Sequence, residues 1–413
     1  MRIVLENASI FDGKNNGIQS YKYVYIEDNI IKTLTNDKII DFNADQTINV
    51  ENQYILPGLI DAHVHLSAAA EVDLANDHLP NDFLAVKAFK AAQESLKRGF
   101  TTLRDAGGAG LGIAQACAED IGSTPRLFYS GKALSTTNGH GDFRHPGESN
   151  FCSCQISGSN ISVLCDGVSE ALKATREQLR AGATQIKIMA AGGIASPTDS
   201  ITNLQFSDQE ILAIVDEATR NGTYVMAHAY TPEALMRCVR LGVRSLEHAN
   251  LLDDESAKYI AKNNAFIVPT LAIYEAFYKN GEEFNTPLHV LNKLEGVREK
   301  AVNAIKIAHD NNVNVGFGTD LLGGLMQYQC TEFLIRKQVE TPFQTLHSAT
   351  YKNSQLLNME GKLGIIKPGA FADILAVSKN PLEDIEVMAH PERNMTLIIK
   401  DGFVSLNKLT PTL

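Results

Sequence analysis

Leu59-Ile60-Asp61-Ala62-His63-Val64-His65-Leu66-Ser67-Ala68-Ala69-Ala70 is the stretch that decides the fold. Leu59–Leu66 reads as a short buried strand that follows the Pro57-Gly58 turn signal. A doubly wound open sheet would usually follow its first strand with a glycine-rich phosphate turn, and Ser67 to Ala70 is not one. Further apolar or β-branched runs lie at Thr101–Ala106, Arg126–Leu134, Gln185–Ala190, Tyr224–Ala229, Arg244–Ala249, Phe266–Leu271 and Val313–Asp320. Helical patterns at Asn81–Arg98, Gly167–Ala181, Asp208–Asn221, Pro232–Leu241, Asp253–Asn263 and Glu295–Asn311 lie between them. Eight strands alternating with helices over roughly 300 residues predict an α/β fold, a (β/α)8 TIM-like barrel.

On either side the pattern is β. Ile3-Val4-Leu5, Tyr23 to Ile26 and Ile30-Ile31 stand at one end, Asp373 to Val377 and Thr396 to Lys400 at the other. Neither end has enough strands to bury two faces, so residues 1–56 and 361–413 are expected to form one small β-sandwich domain beside a 57–360 barrel. The 413 residues suit two such domains. With 37 Lys plus Arg against 48 Asp plus Glu, the chain carries a net charge of -11, so nucleic acid and anionic membranes are poor partners. No apolar run approaches the roughly 18 residues that cross a bilayer. Glu6 and Asp12 interrupt any signal-like region, so the expected location is cytoplasmic. Six scattered Cys, including Cys152 and Cys154 in a C-x-C and Cys165 nearby, are read as reduced thiols rather than a disulfide framework.

Barrel catalysis happens at the C-terminal ends of strands. Those ends carry His63 and His65, Lys187, His228, Glu247-His248 and Asp320. His63 and His65 are two apart, so on a strand both imidazoles face one side. Imidazole and carboxylate together suit zinc or a similar divalent ion. A lone strand-end His is more often structural, but four at three strand ends beside an Asp argue for metal. His78, His289, His309, His347 and His390 are read as surface or locally hydrogen-bonded residues. Lys187, between Ile186 and Ile188, would be disfavoured as a buried ammonium near a cation; it is neutral, turned outward, or a carbamate.

The run Leu56-Pro57-Gly58-Leu59-Ile60-Asp61-Ala62-His63-Val64-His65 resembles the opening of the amidohydrolase superfamily. Gln185 to Ile188, Val225 to Tyr230, Ser245 to His248 and Gly318 to Asp320 match its later signatures in order. Within it the chain is most similar to the imidazolonepropionase-like or Xaa-Pro dipeptidase (prolidase)-like branch, on Lys187 to Gly193, His228 to Ala234 and Asn138 to Asp142. The resemblance implies a binuclear zinc centre. His63, His65 and Asp320 would hold one ion, His228 and His248 the other, and an N6-carboxylated Lys187 would bridge them. A hydroxide between two such ions would be the nucleophile, Asp320 the proton shuttle, and closed oligomers of the chain a common assembly.

Tyr230 continues on the His228 side and could donate to an oxyanion; His140 and Arg144, in the loop after the third strand, could bind a substrate carboxylate. The expected activity is hydrolysis of dipeptides or N-acyl amino acids ending in an apolar residue or proline. Three rivals stand. A deaminase or imidazolonepropionase usually lacks the strand-four Lys; a lactonase or phosphotriesterase-like hydrolase differs only in its pocket; a non-catalytic homologue would have lost ligands. A Lys/Arg-specific carboxypeptidase would need an acid in the pocket. Glu275 and Glu332 fall in helical stretches, and the long loop from Ser135 to Asp166 could supply Asp142 or Glu148.

Overall fold

The computed structural model describes residues 1–72, 74, 79–119, 123–144, 147 and 161–409. His78, Glu148, Cys152 and Cys154 lie outside them. Leu59–Val64, Phe100–Asp105 and Arg126–Tyr129 form a parallel three-stranded sheet. A second parallel sheet runs Ser162–Leu164, Ala133–Ser135, Ile186–Met189, Val225–Ala229, Ser245–His248, Phe266–Val268, Asn314–Val315. Backbone bonds join the two sheets at both edges of the three-stranded one: Thr184 N–H to Tyr129 O at 2.8 Å, and Ala62 N–H to Phe317 O at 2.9 Å.

Helices cover the outward side chains of these short strands. Ile186, Ile188, Val225, Ala227, Leu246 and Ile267 are buried together with helix residues such as Ile211, Ile214 and Leu235. With a period of two, the alternate residues Lys187, His228 and Glu247 point the other way, into the interior. Helix starts are written locally. Ser207 and Glu210 exchange both capping-box bonds at the head of Asp208–Arg220, and Thr231 caps Pro232–Arg240 with proline in its first turn.

Three expectations are corrected. The run Arg126–Leu134 is two strands, broken at Gly131, whose φ of 68° suits glycine. The region 135–166 carries the extra strand Ser162–Leu164. The last run, Val313–Asp320, is a strand only over Asn314–Val315; Asp320 itself has φ of 57°, which no extended strand accommodates.

Both chain ends join one eight-stranded sheet, with Tyr54–Pro57 pairing antiparallel with Ile374–Val377 and parallel with Arg2–Ile10. Ile3, Leu5, Val24, Ile26, Ile374 and Ile399 are among its buried residues. Arg126 ties it to the parallel sheet through Asp373, at 2.6 Å, and Asp401. Cys117, Cys165, Cys238 and Cys330 are buried. Burial pushes the thiols of the last three up to about 12, which keeps them inert. Among the described residues no helix is long and apolar enough to cross a membrane.

Candidate active site

Asp61, fully buried, organises the first and last strands. Its carboxylate accepts the N–H groups of His63, at 3.1 Å, and Thr319, at 3.2 Å, plus Thr319 Oγ1 at 2.6 Å and Gln329 Nε2 at 2.9 Å. Asp320 N–H donates to His63 O at 2.8 Å. Asp320 is thereby held beside the His-x-His pair: its Oδ1 lies 3.4 Å from His63 Nε2 and 3.2 Å from His65 Nε2. One ligand atom from each of these three residues falls within 4.8 Å of the others.

Each imidazole is turned by a bond at its far nitrogen. His63 Nδ1 donates to Glu247 Oε2 at 2.7 Å, His65 Nδ1 to Gly107 O at 2.9 Å, and His228 Nε2 to Gly192 O at 3.2 Å. His248 Nδ1 contacts Thr270 Oγ1 at 2.7 Å. The opposite nitrogen of each ring is left with a lone pair, as metal-ligating histidines require. His63 Nε2 is buried without a hydrogen-bond partner, and a carboxylate oxygen facing two bare nitrogens needs a proton or a cation among them. Burial, with neighbouring imidazoles and Lys187, holds His228 and His248 well below the usual imidazole range, so both are neutral donors. Burial opposes ionisation of Asp320, but a proton held among the facing His63 and His65 nitrogens outweighs it and keeps the carboxyl well below the usual carboxylate range.

His248 shows what the tertiary backbone adds. In a regular strand it would face away from Glu247, its neighbour in sequence. A φ of 76° at His248 and 52° at Ala249 turns the chain so that both side chains are buried at the site. A left-handed β-carbon residue there is strained, and such strain clusters at functional positions.

Lys187 is 1% exposed and faces inward, which removes the outward reading. Desolvation pushes its amine down to about 8, against the pull of Glu247 and Asp320. Lys187, His65, His140, His228, Tyr230, His248 and Asp320 line one cavity, with Phe143, Met189, Ile194, Ile273, Phe277 and Leu322 on its apolar side. Burial raises the Tyr230 hydroxyl well above its ordinary range, and Tyr274 donates to it at 3.2 Å. The His140 ring stacks on His228 with centroids 4.1 Å apart.

Arg144 does not line this cavity. Its Nε and Nη2 engage Asp142 at 2.7 and 2.6 Å, which also occupies that acid. Glu332 is buried against Arg336 and Ala272 N–H, both at 2.7 Å, and Glu275 pairs with Lys279 and Arg298. A larger cavity of about 590 Å³, lined by Arg98, Cys330, Ile398 and Leu406, contains none of the clustered imidazoles.

Sequence reading missed the support behind His63. Arg104, fully buried on Phe100–Asp105, donates to both Glu247 oxygens at 3.0 Å and to Ala62 O at 2.6 Å. An arginine within a strand of otherwise buried residues was the available signal.

The amidohydrolase family profile matches residues 54–404. The chain belongs to the amidohydrolase family. This amidohydrolase is 30% identical over 363 residues to ochratoxinase of Aspergillus niger, covering 84% of this chain and 75% of that protein. A crystal structure of a prolidase complexed with N-methylphosphonate-L-proline is similar to it with a TM-score of 0.95 at 42% identity, covering 98% of this chain and 100% of the other. A Xaa-Pro dipeptidase crystallised with methionine in its active site has a TM-score of 0.87 at 29% identity, over 98% of this chain and 100% of the other. Amidohydrolases generally use divalent metals, and His63, His65 and Asp320 form the candidate site here.

Proposed function

We propose that this amidohydrolase cleaves the amide bond of dipeptides or N-acyl amino acids whose C-terminal residue is apolar or proline. The observation that carries this reading is the cavity itself. The donor-atom cluster opens onto an apolar wall, and Asp320 is the one acid among the described residues lining it. Among the described residues a cationic leaving residue would find no acid there besides Asp320, while a proline ring or aliphatic side chain would be desolvated favourably. The likeness to a prolidase and a Xaa-Pro dipeptidase supports the same reading.

We read the edge-joined parallel sheets as a (β/α)8 barrel over residues 57–360. The end sheet is then a small β-sandwich domain built from 1–56 and 361–413. The donor set fits two divalent ions, zinc foremost: His63, His65 and Asp320 would hold one, His228 and His248 the other. Lys187 would bridge them once its neutral amine adds to carbon dioxide and releases a proton, giving a two-oxygen carbamate anion. When bound, such ions supply Lewis acidity and lower the pKa of water.

The chain's own groups do the rest. Asp320, ionised at neutral pH, takes a proton from the attacking water and passes it to the leaving nitrogen. Tyr230 keeps its proton and donates a hydrogen bond to the developing oxyanion. His140 binds the polar end of the substrate from its place against His228. The test compares kcat/KM for Ala-Pro and Ala-Leu with Ala-Arg and Ala-Lys, with metal content measured on the same sample. Higher values for the apolar pair with two ions per chain are expected, and a clear preference for the basic pair overturns the reading.

A further inference from the structure

The loop between Ile186–Met189 and helix Asp208–Arg220 buries a carboxylate that the mechanism above does not use. Asp199 is 4% exposed, yet it is ionised, held down to about 2 against the pull of burial by His140, Ser196 and Lys293. Its Oδ2 accepts Gly193 N–H at 3.2 Å and Gln205 Nε2 at 3.0 Å; its Oδ1 accepts the Ser196 hydroxyl and Lys293 Nζ, the latter at 3.2 Å. Lys293, from helix Leu288–Asp310, also donates to the carbonyls of Gly193, Ser196 and Asp199 at 2.9, 2.9 and 2.7 Å.

His140 is the object of this network. Its Nδ1 lies 2.9 Å from Ser196 Oγ and 3.7 Å from Asp199 Oδ2, and Gln205 Oε1 accepts its backbone N–H at 2.8 Å. Because Ser196 gives its proton to the carboxylate, its oxygen accepts from His140 Nδ1–H, which fixes the tautomer. Gly193 lies against the ring: a Cβ there would stand 2.2–2.5 Å from ring atoms. Gly192 next to it supplies the carbonyl that orients His228.

We propose that Asp199 is the positioning residue for His140: acting through Ser196 and clamped by Lys293, it fixes the ring's tautomer and its seat on His228, so that Nε2, a hydrogen-bond acceptor in that tautomer, meets a donor group at the polar end of the substrate. This rests on the substrate-binding role given to His140 above. The loop brings Ile194 and Ala195 into the same cavity, so the clamp sets the polar and the apolar wall together.

A double-substitution cycle on the full-length, zinc-supplemented protein with Ala-Pro tests this. Asp199→Asn is expected to raise KM about tenfold while kcat falls less than about threefold and metal content is unchanged. In a His140→Ala background the same change should move KM less than about twofold, since no ring remains to be positioned. Equal losses in the two backgrounds, or no loss in either, overturn the proposal. Ser196→Ala removes only the bridging hydroxyl and should raise KM in the same His140-dependent way; it carries the test if Asp199→Asn does not fold, and an unchanged KM overturns the proposal. A crystal structure of Ser196→Ala reads the geometry without turnover: a ring displaced from His228 supports the assignment and an unmoved ring overturns it. If the wild type cleaves none of these substrates, the proposed function fails, and the ring position still decides the role of Asp199.

Discussion

Glu247 joins the fold to the chemistry at a single residue. Fully buried, it binds Arg104, the Ser245 hydroxyl at 2.5 Å and His63 Nδ1, and Arg104 with His63 holds it well below the usual carboxylate range although burial opposes this. Glu247→Gln leaves a buried guanidinium without its counter-charge, so a loss of about 3–5 kcal/mol is expected from the thermal or urea transition. Replacing the charged acceptor that orients His63 by a neutral amide should also weaken metal binding by roughly 10–100-fold, read by competition with a chromophoric chelator. Lys187 gives the companion prediction. Burial pushes its amine down to about 8, and as a carbamate it would become an anion. Lys187→Ala is therefore expected to lower the metal stoichiometry below two per chain and turnover by on the order of a hundredfold or more. Two tightly bound ions with normal turnover would remove the bridging role.

At the scale of elements, the last parallel strand is too short to place Asp320 by its ladder. Asn314–Val315 pairs with Phe266–Val268, and beyond it Asn353 holds Phe317 and Asp61 holds Thr319 instead. Asp61→Ala strands the Thr319 hydroxyl, Gln329 and backbone N–H groups; a destabilisation of about 3 kcal/mol or more is expected, at about 1–3 kcal/mol per unsatisfied buried group. Metal content should fall with it, because Asp320 loses its register against His63. A variant that melts lower but keeps full metal would show that the His63 O bond alone suffices. Helix Leu288–Asp310 makes a related point. Its pattern predicts a start near Glu295, but it begins directly after Pro287, with Val290 and Leu294 buried. Those early turns hold Lys293 and His289, which donates to Ala195 O at 3.0 Å. Their bonds reach back about 95 residues, a distance no local periodicity encodes.

For the molecule as a whole, ions held by the native site and by no comparable arrangement in the unfolded chain add to stability by mass action. At a hundredfold excess over Kd the gain is about 2.7 kcal/mol per site. Chelation should lower the melting temperature and zinc should restore it, while Lys187→Ala should show a smaller metal-dependent shift than wild type. An identical melting curve with and without chelator would argue against tightly held ions.

The strand-end chemistry was legible because a strand's period of two and the polarity of a parallel sheet convert spacing into direction. His63 and His65 could be placed on one side of their strand without coordinates, whereas Lys187, between two isoleucines, could still turn outward until its burial in the cavity settled the direction. Alternating strands and helices likewise marked the chain as mixed α/β. The sequence could not tell that His248 and Glu247, adjacent in the chain, are both buried at the site, because that needs a positive φ at His248. Nor could it tell whether Arg144 points at substrate or closes on Asp142, since two residues' separation in a loop fixes no direction. The roles of Arg104 behind Glu247, Asp61 behind Asp320 and Asp199 behind His140 went unassigned for one physical reason. A buried charge is stable only with partners, and those partners come from wherever in the chain the packed fold happens to bring them.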